Sequence, residues 1–344
     1  VLARSGAGLV GLLVVGGAMV WMVWQAMQKA YTLGDLALFY QAFNQGQGLM
    51  RTLLENVGRI YSDSLYLGNL FEFLELEPEV VEPVPAIAMA AEPPGDIHFR
   101  GVTFRYPDSE RYALRDFELS ITAAEMVAVV GSNGAGKTTL LKLLCRFYDP
   151  ERGSIELDGV DLRGLSLEGL RQSITVLFQE PVRYQDTVAD NIAMGDIAGE
   201  PGREAIEEAS RAAGADAVID RLPLGYDTQL GRWFEEGTDL SVGEWQRLAL
   251  ARAFLRQAPI IALDEPTSAM DSWAEIDWMG RFRELVKCRT AVIITHRFTT
   301  AMHADTIHVM DEGQVIESGS HQELLALGGR YARSWKAQMK ERGS

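Results

Sequence analysis

The sequence predicts an α/β domain preceded by two membrane helices, and three observations carry that prediction. Ser5 to Gln28 holds no charged residue. Glu77 to Gly95 is crowded with Pro78, Pro83, Pro85, Pro93 and Pro94. From Asp96 onward, short apolar runs such as Met126 to Val130, Ile260 to Leu263 and Ala291 to Ile294 alternate with helical stretches. That texture belongs to strands buried on both faces under helices. At 344 residues the chain is long enough for two units that each bury a core.

A helix from Ser5 to Gln28 would span roughly 36 Å at about 1.5 Å per residue, enough for a bilayer core of about 30 Å. Gly6, Gly8, Gly11, Gly16 and Gly17 suit the close approach of membrane helices better than a soluble helix. A buried helix of a soluble core is the competing reading. Thr32, Gly34 and Asp35 signal a turn before a second uncharged run, Leu36 to Met50, interrupted by Gln41, Asn44, Gln45 and Gln47. Gln41, Asn44, Gln45 and Gly48 follow the i, i+3, i+4, i+7 rule and share one helix face. That face looks into a wet cavity or bonds a neighbouring helix or the interface, and the sequence leaves these open. After Arg51 the pattern stays helical but becomes charged through Glu77, with Arg51 and Arg59 marking the inner side. The proline-rich stretch forbids regular helix, so residues 77–95 read as a linker between a segment 1–76 and a domain 96–340. The first residue is Val1, without a signal-peptide pattern, so the sequence reads as a piece of a longer chain.

The formal charge of −16 and an isoelectric point near 4.8 argue against a nucleic-acid partner, because phosphate binding relies on Lys and Arg. Cys145 and Cys288 stand far apart and outside any CxxC spacing, so neither a disulfide framework nor a zinc site is suggested.

Directly after Met126 to Val130 comes Gly131, Ser132, Asn133, Gly134, Ala135, Gly136, Lys137 and Thr138, followed by Thr139. This matches the phosphate-binding loop GxxxxGK[ST] in its strand, loop, helix context. Glycines let successive N–H groups turn inward around phosphates, the helix presents its positive end, Lys137 reaches the β and γ phosphates, and Thr138 ligates Mg²⁺. The ligand expected is ATP with Mg²⁺. The second element is IIALDEP, in which an apolar strand ends in Asp264, to hold the Mg²⁺ shell, and Glu265, to orient or deprotonate the attacking water. The third is LSVGEWQ, Leu240 to Gln246, which opens a helix running through Leu255.

With these three elements the chain resembles the nucleotide-binding domain of the ABC transporter family, whose signature reads LSGGQ and binds the γ-phosphate of ATP held by the opposite subunit. The resemblance runs from Asp96 to about Met339. It implies an α/β fold of the phosphate-loop NTPase class and ABC type, a mixed sheet with a helical subdomain, preceded by the last two membrane helices of a truncated all-α transmembrane domain. It implies that Tyr106 stacks on adenine, that Gln179 senses Mg²⁺, that Asp271 lies in the dimer-contact loop and that His296 contacts the γ-phosphate. Ser241, Gly243 and Glu244 would face the partner's nucleotide. His98, His303, His308 and His321 match no such station and read as structural; Ser320 and Glu323 form a capping box.

One departure stands out: Val242 replaces the usual glycine and Glu244 the commonest glutamine. A β-branched residue resists φ > 0 and adds bulk near the partner's phosphate, so weakened closure is expected at this signature. The resemblance also implies the function: ATP hydrolysis by an exporter in the cell (inner) membrane, with this domain in the cytoplasm and an unknown transported substrate. Two copies would sandwich ATP, the intact Glu265 and His296 favouring a second copy over a homologous half-transporter as partner. The lipid bilayer is the other expected partner. The rivals are a soluble ABC ATPase clamping nucleic acid or ribosome, against which the acidic charge and uncharged N-terminus count, and a nonhydrolytic ATP-binding regulatory domain, against which Glu265 counts.

Overall fold

A computed structural model describes residues 2–28, 32–89, 95–233 and 237–342, with backbone alone for 2–13, 33, 36, 272, 341 and 342. The chain divides into two compact units at Pro78/Glu79. The first holds helices α1 (Leu2–Met27) and α2 (Leu33–Leu74). The turn signal is the start of α2. Thr32 and Asp35 close a capping box, in which the Asp35 carboxylate accepts from Thr32 N at 2.8 Å and the Thr32 hydroxyl accepts from Asp35 N at 3.3 Å. Among the described residues no helix is long and apolar enough to cross a membrane. The run from Ser5 reaches back into side chains outside that description, and in α2 the amides Gln41, Asn44, Gln45 and Gln47 dilute the apolar run.

In the second unit the described part of the proline-rich stretch forms no helix, and it is held to the domain. Ile87 bridges to Leu165, Leu167 N donates to Glu82, and Arg146 donates to the Val81 carbonyl. Backbone outside helix and sheet leaves its polar groups without regular partners, and the domain surface supplies some of them. Pro93 and Pro94 lie outside the described residues.

The chain then forms β1 (Ile97–Phe104), β2 (Leu114–Ile121), β3 (Met126–Gly131), α3 (Lys137–Leu144), β4 (Arg152–Leu157) and β5 (Val160–Asp161). Next come α4 (Leu167–Ser173), β6 (Ile174–Leu177), α5 (Val188–Ala193), α6 (Arg203–Ala213), α7 (Asp216–Ile219) and α8 (Val242–Leu255). The last stretch is β7 (Ile260–Asp264), α9 (Ser272–Leu285), β8 (Thr290–Ile294), α10 (Phe298–Ala301), β9 (Thr306–Asp311), β10 (Gln314–Gly319), α11 (His321–Leu327) and α12 (Arg330–Arg342).

Strands β2, β1, β4 and β5 make an antiparallel sheet. The main sheet runs β10-β9-β3-β8-β7-β6, parallel except for β10, and so is mixed. All five residues of β7 and of β8 are buried, as their continuous apolar character requires. Helices α5 to α8 build the helical subdomain around Trp245, Leu248 and Phe254. Cys145 is buried and free, its thiol pushed up to about 12 by desolvation, while Cys288 is exposed and free. His98, His308 and His321 bond Ser120, Ser318 and Tyr331, which fits structural roles. Strands β3, β7 and β8 run side by side, and their carboxyl ends carry the chemistry, the usual place for a ligand in an open α/β sheet.

Candidate active site

The phosphate loop is shaped by contacts that exclude a side chain. At Gly131 a Cβ would lie 2.3 Å from the Met310 carbonyl of neighbouring β9. Gly136 has φ 100° and would meet the Ala113 carbonyl at 2.6 Å. Gly136 caps α3 without a side-chain bond, so the first-turn N–H groups remain for an anion. Lys137 opens that helix and is buried; its Nζ donates to the carbonyls of Gly131 at 2.9 Å and Ser132 at 3.0 Å. Burial lowers its pKa, against the opposing pull of Glu265 and Asp264.

Thr138 Oγ1 donates to Asp264 Oδ2 at 2.7 Å. Asp264 is 2% exposed, and desolvation raises its pKa, opposed by the Thr138 hydrogen bond, reinforced by the Glu265 charge and opposed again by Lys137. A buried carboxylate beside a hydroxyl, with the Gln179 amide on the same cleft, is a set of hard oxygen donors that fits Mg²⁺. Among the described residues no three His, Cys, Asp or Glu side chains gather into a metal site.

Glu265 follows at the end of β7 with φ 55°, a left-handed conformation that a β-carbon disfavours. It is held there by N–H donation to the Ile294 carbonyl and by Gln246, whose amide donates to the Glu265 carbonyl at 2.9 Å. Its Oε2 lies 2.5 Å from His296 Nδ1, on a ring 55% exposed. That hydrogen bond raises the His296 pKa above 6.5, against partial desolvation. A raised folded-state pKa means the pair's stabilisation is fully present below about 6.5 and is lost as pH rises through the raised value. The difference in urea midpoint between wild type and His296→Ala is therefore expected to be largest at acidic pH and to shrink toward alkaline pH. A difference independent of pH would show that the contact is not an ion pair.

Tyr106, Asn133, Gly134, Gly136, Lys137, Thr138, Thr139, Gln179, Asp264 and Glu265 line one cleft of about 450 Å³. The Tyr106 hydroxyl bonds Thr139 Oγ1 at 3.1 Å, and Lys142 sits 5.1 Å from the ring centroid. Ser109, Arg111 and Tyr112 also line the cleft and were not expected; their signal was their place in the same loop as Tyr106.

Ser241, Gly243, Glu244 and Asp271 are not among the residues lining this cleft. Ser241 caps α8 in a box with Glu244, which also pairs with Arg221 at 3.0 Å. Asp271 caps α9 by accepting from the backbone of Trp273 and Ala274. Val242 corrects one expectation: it is the first residue of α8 and has no positive φ, so no backbone strain attaches to the missing glycine. Its side chain is 63% exposed, so its bulk is presented outward. Sequence reading named Gln246 only as the end of the signature element and gave it no role; it is a buried amide that donates to Glu265 O and Ser268 Oγ and accepts from Ala269 N, tying the signature helix to the backbone of Glu265.

The ABC transporter family model matches residues 114–268. An ATP-dependent lipid A-core flippase of Aromatoleum aromaticum is 41% identical over 310 residues, covering 90% of this chain and 50% of that protein. One from Pseudomonas aeruginosa is 41% identical over 300 residues, covering 87% and 49%. A solved bacterial Atm1-family ABC exporter with ATP bound aligns with TM-score 0.74 at 36% identity, covering 96% of this chain and 57% of that one. This chain thus spans about half the length of the curated relatives it matches. Phosphate loop, paired carboxylates and signature helix, arranged on this mixed sheet, make the matched region, residues 114–268, an ABC transporter family domain.

Proposed function

We propose that this chain binds and hydrolyses ATP as half of an ABC exporter in the inner membrane, with the domain 96–340 in the cytoplasm. The observation that carries this reading is the division of the motifs. The phosphate loop, Asp264 and Glu265 share one cleft, while Ser241, Gly243 and Glu244 lie off it. A second copy, facing the first, would bring its signature onto the nucleotide, so each ATP is sandwiched between two chains.

In the reaction, Lys137 and the N–H groups of α3 hold the phosphates, Tyr106 and Tyr112 offer aromatic faces to the base, and Thr138, Asp264 and Gln179 would hold Mg²⁺. When bound, the cation neutralises charge on the phosphate oxygens. Glu265 accepts a proton from water as the water oxygen bonds the γ-phosphorus, the bond to the ADP oxygen breaks, and His296 stabilises the charge that develops. Closure of the pair before hydrolysis, and reopening after it, would move the cargo. The uncharged runs Ser5 to Gln28 and Leu36 to Met50 support a membrane role for segment 1–76, followed by the linker 77–95. The names of the relatives support a lipid of the lipid A-core class as cargo.

The test uses two variants that are each expected to be inactive, Lys137→Ala and Ser241→Ala. Mixing them creates dimers in which one site has both an intact loop and an intact signature. Restored Mg²⁺-dependent ATP hydrolysis in the mixture supports the sandwich; mixtures as inactive as the parents would refute it. Stimulation of wild-type hydrolysis by lipid A-core in vesicles, and not by phospholipid alone, tests the cargo class.

A further inference from the structure

Helix α12 reaches the backbone that carries His296 through the Gln338 side chain. Gln338 Oε1 accepts from Phe298 N at 2.9 Å, and its Nε2 donates to the His296 carbonyl at 3.3 Å. Phe298 opens the short helix α10, whose N-cap residue Arg297 makes no side-chain cap bond. The Phe298 N–H has no acceptor within its own helix, and an amide from 40 residues further on supplies one.

The need for such a clamp follows from the exposure of His296. Its ring is 55% exposed and its ion-pair partner is Glu265, so the aim of the ring depends on the backbone that carries it. On one side Arg297 secures that backbone, donating to the carbonyls of Met270 and Ser268 and to Glu275. On the other side stands Gln338. Helix α12 is itself well anchored: Glu317 accepts from the N–H groups of Arg330 and Tyr331, and the Tyr331 ring packs edge-on against Phe298 at 5.2 Å.

We propose that Gln338 is a positioning residue for ATP hydrolysis, a two-point amide clamp that fixes the His296 backbone so that the imidazole meets Glu265 and the transferring phosphate. The requirement is chemically narrow. A primary amide both accepts and donates; glutamate cannot donate, lysine and arginine cannot accept, and asparagine is one methylene short. The proposal rests on the ATPase reading given above.

The experiment is a double-mutant cycle in the full chain with Gln338→Met, which keeps the length and packing but removes both hydrogen bonds, and His296→Ala. Steady-state hydrolysis and ATP binding are measured for all four proteins, with thermal midpoints to verify folding. Gln338→Met is expected to lower kcat on the order of 10-fold with KM for ATP unchanged, the scale on which small misplacements of a catalytic group act. In the His296→Ala background the same substitution is expected to change kcat by about twofold or less, because the clamped group is gone. Gln338→Glu, retaining the acceptor alone, is expected to fall between. Equal losses in both backgrounds, or a change in KM alone, would overturn the positioning role. A wild type that binds ATP without hydrolysing it would overturn the ATPase reading itself, and the clamp with it. A folded wild type with turnover and an unaffected Gln338→Met would overturn the clamp alone.

Discussion

Glu265→Gln is expected to lower ATP turnover by a factor of roughly 10² to 10⁴, the range ascribed to a positioned general base, while ATP affinity stays unchanged. The geometry motivates the size of the effect. Glu265 sits at the end of β7 in a left-handed conformation, φ 55°, that costs on the order of 1–3 kcal/mol in a residue with a side chain. Its backbone is fixed from two directions, by β8 through the Ile294 carbonyl and by the signature helix through Gln246. Gln keeps the size and the hydrogen-bonding reach to His296 but has no carboxylate to take a proton. Turnover should therefore fall without loss of nucleotide, and ATP should accumulate on the protein, which equilibrium binding and single-turnover kinetics would detect. Substantial turnover in Glu265→Gln would show that the base lies elsewhere and that Glu265 only orients water. A parallel loss of ATP affinity would show that it contributes ground-state binding.

The sequence and the structure part company at particular residues, for physical reasons. The phosphate loop and Asp264 were legible because backbone conformation dictates their residue types: a Cβ at Gly136 or Gly131 would strike a carbonyl, and a buried carboxylate must face a hydroxyl or a cation. The strain at Glu265 was invisible, since glutamate gives no hint of positive φ, whereas Val242, read as the strained position, begins an ordinary helix. Gln338 was hidden, and so was the role of Gln246 within the signature element. A glutamine in a charged helix reads as solvated, and only the fold sets Gln338 against His296 or Gln246 against Glu265. The proline-rich stretch was legible as a segment without regular helix, but its attachment through Val81, Glu82 and Ile87 depends on donors and acceptors from Arg146, Gly164, Ser166 and Leu167 that adjoin it only in the folded unit.

Lys137→Met is expected to reduce ATP affinity by roughly 10- to 100-fold, the equivalent of a charge-assisted hydrogen bond of about 1.5–3 kcal/mol, while leaving the fold as stable as wild type or slightly more so. The two halves of this expectation share one cause. The Lys137 ammonium is buried, and desolvation lowers its pKa below 10.5 despite Glu265 and Asp264. A lysine whose folded-state pKa is depressed binds fewer protons folded than unfolded between the two values, so it weakens the fold at lower pH and the penalty fades as pH rises toward 10.5. Methionine fills the space without the charge and removes that penalty, together with the rise in stability with pH that wild type should show in the alkaline range. It also removes the donor. Two of the three ammonium N–H groups serve Gly131 and Ser132, which keeps the side chain folded over the loop and leaves the third for a phosphate. In a thermal-shift measurement at ATP near 100 times the wild-type dissociation constant, wild type should gain about 2.7 kcal/mol, and Lys137→Met only about 0.4 to 1.4 kcal/mol for a 100- to 10-fold weaker affinity. An unchanged ATP-induced shift would deny Lys137 its phosphate role. A large drop in midpoint without ATP would mean instead that its bonds to the loop carbonyls matter more to the fold than the cost of its buried charge.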